Sequence, residues 1–141
     1  MKVITARACP FAELPSRLVD LKEEITPAGR ELLKILSGVY AFSLENAEGE
    51  QMGCFWAMHS VLYNTISVDT LIIEPEYRSM EAMRSGINVA AYAARELARG
   101  IGVPSITSEL MFPKLIRRMF PAAKEVGTTV RYYLEEEARD G

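Results

Sequence analysis

The 141-residue chain is 49% hydrophobic and 25% charged, the composition of one ordinary globular domain rather than of a fibrous repeat or a disordered tail. Its 16 basic and 19 acidic side chains leave a net charge of -3, so there is no basic excess to neutralise a nucleic-acid backbone, and nucleic acid is not expected as a partner. A chain of this length buries roughly two-thirds of its unfolded surface, so a single domain over residues 1–141 is expected to fold without disulfides or metals.

The two cysteines, Cys9 and Cys54, lie in apolar surroundings without CxxC spacing, and the one histidine, His59, completes no ligand cluster. Both thiols are expected as small buried hydrophobes of a reducing compartment, and no metal site is expected. No apolar run approaches the roughly 20 residues of a membrane span, and Met1 to Thr5 is too short for a signal peptide. The expectation is a cytoplasmic protein with no membrane partner.

Taken in chain order, alternation predicts a first strand over Lys2 to Arg7, after which Pro10 and Pro15 interrupt the chain. From Ser16, the apolar residues Leu18, Val19, Leu21 and Ile25 fit one helical face. Thr26-Pro27 reads as an N-cap followed by proline at the first helical position, leading into a stripe of Leu32, Leu33, Ile35 and Leu36 that Gly38 ends. Strands follow at Val39 to Leu44, Met52 to Val61 and Thr65 to Ile73. The connections around Asn46 to Glu50 and at Leu62 to Asn64 are too short for parallel crossovers, so the three form an antiparallel meander. On the middle strand Phe55 and Trp56 should pack on opposite sheet faces.

Pro75 stops the third of these strands, and a long helix follows from about Met80 to Arg99. Met83, Ile87, Ala90, Ala94, Leu97 and Ile101 are its expected inward stripe, Ala90, Ala91, Ala93, Ala94 and Ala98 point to close packing on a sheet, and Gly100 is the expected terminator. Ser105 to Leu110 reads as a strand joined through that helix to the strand at Thr65 to Ile73, which implies a parallel neighbour and a right-handed crossover. Pro113 opens a short helix carrying Leu115, Ile116, Met119 and Phe120, and Val126 to Leu134 is the last strand. Glu135 to Glu137 reads as a solvated terminus.

The order of strand, two helices, three-strand meander, long helix, strand, short helix and strand is a mixed α/β layout. Together with Leu71-Ile72-Ile73-Glu74-Pro75-Glu76-Tyr77-Arg78, it resembles the GCN5-related N-acetyltransferase (GNAT) superfamily, including the divergent members that tailed bacteriophages encode. The order of elements covers nearly the whole chain; the residue-level likeness is confined to this stretch and the start of the next helix.

The resemblance implies an acetyl-CoA site. The backbone of Leu71, Ile72 and Ile73 would pair with the pantetheine arm, and Arg78, Ser79, Met80, Glu81, Ala82, Met83 and Arg84 would face the pyrophosphate at a helix N-terminus, whose free amides and dipole favour an anion. The chain departs from the family pattern where small residues are expected, carrying Glu81 and Met83 instead, and neither has glycine's backbone freedom. Apart from any ligand, Glu81 is a favourable first-turn acid and Met83 the first rung of the apolar stripe.

By the same resemblance Asp69 is the candidate general base. From their positions, Glu74 is a strand-end alternative and Glu109, ending the next strand, is a candidate to bind a cationic amine. The family's tyrosine acid in the short helix has no counterpart among Leu115, Ile116, Met119 and Phe120, while Tyr132 and Tyr133 come later, on the last strand. Two readings follow. One is an N-acetyltransferase passing an acetyl group from acetyl-CoA to a small-molecule or protein amine by direct attack; the other is a noncatalytic protein of the same fold serving assembly or regulation. A homodimer is an expected partner state, with Met111, Phe112 and Phe120 as candidate surface for pairing.

Overall fold

The computed structural model describes residues 4–22, 25–108 and 118–122. Two compact units divide the chain, Met1–Glu109 and Leu110–Gly141, and the sheet belongs to the first. Its strands are β1 (Thr5–Cys9), β2 (Val39–Glu45), β3 (Gln51–Ser60), β4 (Thr65–Ile73) and β5 (Ser105–Ser108), and they lie side by side in that order. The first four pair antiparallel and β4 pairs β5 in parallel, as the crossover argument requires.

Local chemistry sets the two hairpin turns. Asn46 Oδ1 accepts from the amides of Glu48 at 3.0 Å and Glu50 at 2.9 Å, holding the β2–β3 turn in which Gly49 takes φ 80°. At the β3–β4 turn Asn64 takes φ 50°, a conformation asparagine tolerates better than most residues.

Alternation along the strands divides the core into two faces. Cys54, Trp56 and Ile72 pack under Phe11, Leu14, Leu18 and Val19, with Phe11 meeting the Trp56 ring edge-on at 5.2 Å. Phe55 lies on the other face, stacked on Phe42 at 4.6 Å, so Phe55 and Trp56 point to opposite sides as expected. That second face is covered by α3 (Met80–Ile101), which contacts β4, β5 and β1.

Several expectations need correction. The first strand runs Thr5–Cys9 rather than Lys2 to Arg7, in register with β2 from Thr5↔Glu45 to Cys9↔Ala41. Helix α1 covers only Ser16–Val19: the amides of Leu21 and Lys22 bond back three residues instead of four, so the turn tightens and Leu21 is exposed. Helix α2 (Pro27–Ile35) has the predicted cap, with Thr26 Oγ1 accepting from Gly29 N–H at 3.0 Å, yet buries none of its residues. The terminator of α3 is Gly102 at φ 75°, not Gly100, which stays helical.

The inward line of α3 keeps Ala90 and Ala94 of the expected stripe and differs from it elsewhere. Ala82, Gly86, Ala90, Ala94 and Ala98 face the sheet at four-residue steps, while Met83 is half-buried beside them and Ile101 is exposed. Close approach explains this, because a Cβ on Gly86 would lie 3.3 Å from Ile73 Cδ1. Small side chains occupy the contact line and larger ones flank it. Cys54 is buried as expected, whereas Cys9 is only partly covered. Arg118 and Met119 are helical and Phe120 is half-buried; Leu115 and Ile116, Met111 and Phe112, and the Val126 to Leu134 strand lie outside the described residues.

Three glycines separate these effects. Gly100→Ala, in open space at a helical conformation, should raise stability by about 0.5–1 kcal/mol. Gly102→Ala should lower it by about 1–2 kcal/mol through the left-handed φ. Gly53→Ala should cost more than Gly102→Ala, since its Cβ would collide with the Ile72 carbonyl oxygen of the neighbouring strand. Urea unfolding midpoints at unchanged m-value check this ranking.

Candidate functional site

The site is built where β4 gives way to α3. Antiparallel pairs alternate between those that exchange hydrogen bonds and those that do not. Glu74 N–H donates to the Met52 carbonyl at 2.7 Å, so Cys54↔Ile72 is a bonded pair and Gly53↔Ile73 and Phe55↔Leu71 are not. The backbone N–H and C=O of Leu71 and Ile73 therefore point away from β3. On that side the described pairing with β5 ends at Val68↔Ser108, while β4 continues to Ile73.

A register shift sits at the same place. Trp56 pairs Thr70 and Ala57 pairs Val68, which leaves Asp69 as the extra residue of a β-bulge. Only the backbone position of Asp69 is described. Glu109 lies outside the described residues, as do Tyr132 and Tyr133.

Beyond β4, a 3-10 turn at Pro75–Tyr77 leads to Arg78, whose Nε donates to the Ile73 carbonyl at 2.9 Å. That bond turns the chain back over the strand end and occupies one of the outward carbonyls. Ser79 caps α3, its Oγ accepting from Ala82 N–H at 3.0 Å, while the Ser79 carbonyl accepts from Met83 N–H. Met80 and Glu81 are left as the helix-end amides without an intrahelical acceptor.

The charges around this corner are mixed. Glu81 and Arg84 are both exposed, and Arg84 forms no ion pair among the described residues. Glu74, a candidate carboxylate from sequence, is paired with Arg17 of α1, and this gives it a structural role at the strand end. Tyr77 Oη donates to Glu50 Oε2 at 3.3 Å; desolvation, reinforced by the carboxylates of Glu50 and Glu76, holds its phenol above the ordinary range. A cleft of about 400 Å³ opens beside the helix start, lined among others by Ile4, Met52, Tyr77, Ser79 and Glu81.

The structure thus brings Leu71, Ile73, Arg78, Ser79, Met80, Glu81 and Ala82 into one corner. The Ile72 side chain turns the other way, into the α1 face, and Ala82 and Met83 use their side chains against the sheet. Sequence reasoning missed the bond from Arg78 to Ile73, which has no local signature, and it missed Gly86. The four-residue spacing of Gly86 with Ala82 and Ala90 was the available signal. His59 belongs to the opposite end of β3, where its amide donates to Gly38 and its Nε2 is buried without a partner among the described residues.

Among the described residues no three His, Cys, Asp or Glu side chains cluster as metal ligands, and no helix is long and apolar enough to cross a membrane. Burial pushes the Cys54 thiol up to about 12, and desolvation also raises Cys9. A raised thiol pKa means less thiolate at a given pH. At pH 8 Cys54 should therefore resist a thiol-specific disulfide reagent until the protein unfolds, while Cys9 reacts slowly in the native state. Two rapidly titrating thiols in the folded protein would contradict this arrangement.

Comparison with solved structures identifies the architecture. An aminoglycoside acetyltransferase from an uncultured soil metagenomic sample, solved with sisomicin, matches with TM-score 0.62 at 14% identity, covering 93% of this chain and 96% of that one. An acetyltransferase from Trypanosoma brucei matches with TM-score 0.59 at 16% identity over 92% and 99% of the two chains. The spermidine N-acetyltransferase SpeG of Vibrio cholerae, as an N152L mutant, gives TM-score 0.60 at 17% identity over 89% and 81%. No protein-family model matches the sequence, and no curated protein matches it by sequence. The chain has the GNAT fold, at sequence identities that mark a divergent form of it.

Proposed function

We propose that this protein is an acyl-CoA-dependent N-acetyltransferase, one catalytic domain over residues 1–141, acting on a small-molecule or protein amine. The observation that carries the reading is the end of β4: backbone groups of Leu71 and Ile73 turn outward where the described β4–β5 pairing has stopped. An extended amide-bearing ligand fits such an edge as an added strand would.

The residues present fit the pantetheine arm of acetyl-CoA through the Leu71 to Ile73 backbone. They fit its pyrophosphate through the Met80 and Glu81 amides, with charge from Arg78 and Arg84. Acetyl-CoA would supply the acetyl thioester, whose carbonyl the amine attacks directly as the thiolate leaves. Asp69, at the bulge, serves as the base that takes the proton an ammonium acceptor must lose. Cys9 and Cys54 are not nucleophiles in this scheme, since both thiols are held protonated. Their free state suits a reducing compartment and supports a cytoplasmic location.

A noncatalytic role in assembly or regulation is favoured by a different observation: Glu50, Glu76 and Glu81 surround the helix start, and Arg78 already bonds Ile73. Calorimetric titration with acetyl-CoA and with free CoA separates the two. Saturable binding supports the enzyme, and its absence at millimolar ligand supports the noncatalytic reading. Given binding, Asp69→Asn should lower turnover by roughly 10²-fold or more with Kd little changed; retained turnover rejects Asp69 as base. Glu81→Gln should tighten CoA roughly fivefold, about 1 kcal/mol at a helix N-terminus. Unchanged affinity would mean that the carboxylate does not face the phosphates.

A further inference from the structure

We infer that the chain self-associates as a twofold dimer through the end of the sheet opposite the α3 N-terminus. The tip of the β3–β4 hairpin carries three consecutive apolar residues in water, Val61 at 81% exposure, Leu62 at 84% and Tyr63 at 77%. Helix α2 and its C-cap add Leu32, Leu36 and Ile35, the last at 80%.

These two stretches share one end of the molecule. His59 N–H donates to the Gly38 carbonyl at 3.0 Å, two residues before the hairpin tip on one strand and two residues after Leu36 on the other. Val39↔Met58 continues the same pairing. Helix α3 starts at the far end of β4 and runs about 33 Å at 1.5 Å per residue, so the patch is separated from the corner of Arg78 and Ser79 by the length of the domain.

Its extent sets the occupant. From the fractional exposures, the six side chains present on the order of 700–800 Å². Monomers seldom expose contiguous apolar patches beyond about 300–600 Å², while each partner of a stable standard-size complex buries about 800 Å². On α2 the charges beside Ile35, Lys34 and Glu31, pair with each other at 2.9 Å. A twofold contact sets a surface against its own copy, and this pair brings no uncompensated charge to it. A lipid surface fits less well, because the chain is net acidic at -3 and anionic bilayers attract clustered basic side chains.

Sedimentation velocity of the full chain from about 1 to about 100 μM tests this, with a dimer of low-micromolar Kd expected. Leu62→Glu and Ile35→Glu, both at exposed positions, should each raise Kd at least tenfold while the far-UV circular dichroism stays unchanged. Two outcomes overturn the dimer: a wild-type chain that is monomeric at the highest concentration, or variants that both associate as tightly as wild type. If the monomeric wild type co-sediments with neutral phosphatidylcholine vesicles, the patch is a lipid-contact surface; if it does not, the patch serves another partner.

Discussion

The close contact of α3 with β4 is the constraint on which the remaining geometry depends. Ala82, Gly86, Ala90, Ala94 and Ala98 put almost no side-chain volume between helix and sheet, and Gly86 in particular lets the helix rest on Ile73 and Leu71. Because interiors are close-packed, a larger residue on that line would lift the helix or force the strand aside. The first turn of α3 is thereby held against the last residues of β4, and the two features that carry the proposed site, outward strand amides and helix-end amides, are brought into one corner. A crossover of this length returns the chain to β4 on its other side as β5, where the parallel pairing runs from Thr65↔Ser105 to Val68↔Ser108.

The far side of β4 is shaped by backbone rather than by side chains. On β3, Gly53 approaches Ile72 so closely that no Cβ fits, and the register shift at Asp69 changes which residues of β4 face which neighbour. Glu74 is then tied twice, by its amide to Met52 and by its carboxylate to Arg17, so the strand ends at a defined point. Each of these contacts is a local solution to satisfying buried backbone and charge. Their joint effect is to leave Leu71 and Ile73 presenting hydrogen-bonding groups away from the sheet.

Much of this was legible in the sequence, and the failures have physical causes. The meander, the long helix and the parallel strand followed from period and connection length, which depend on many residues at once. The Thr26 cap was readable because a hydroxyl three residues before a free amide is a local signal. The expected stripe of α3 held at Ala90 and Ala94 and failed at Met83, Ile87 and Ile101, because hydropathy weights the large residues whereas the contact line is selected by smallness. The helix expected from Ser16 was too long, since spacing alone cannot see the amides of Leu21 and Lys22 switch to three-residue bonds. The bulge at Asp69 depends on partners in register across strands, which no window of sequence contains, and the bond from Arg78 to Ile73, though only five residues apart, has no local signature.

The electrostatics of the α3 start show how fold and ligand requirements pull on the same atoms. A carboxylate in the first helical turn stabilises the helix by roughly 0.3–1 kcal/mol through the macrodipole, and Glu81 is placed to do so. An anion bound there would draw on the same dipole and the same amides, so the fold's own acid competes with it. Arg78 partly resolves the conflict: its Nε serves the Ile73 carbonyl, which leaves the two terminal nitrogens of the guanidinium for an anion. Arg84, one turn beyond Ser79 and free of ion pairs among the described residues, adds a second positive charge. In the proposed site a polyanion would therefore be held locally by this acidic chain, through the backbone of one strand end and one helix turn together with these two arginines. Exposed charges of this kind are screened over about 8–10 Å in physiological salt, so affinity that depends on them falls with ionic strength, while the strand-edge contribution does not.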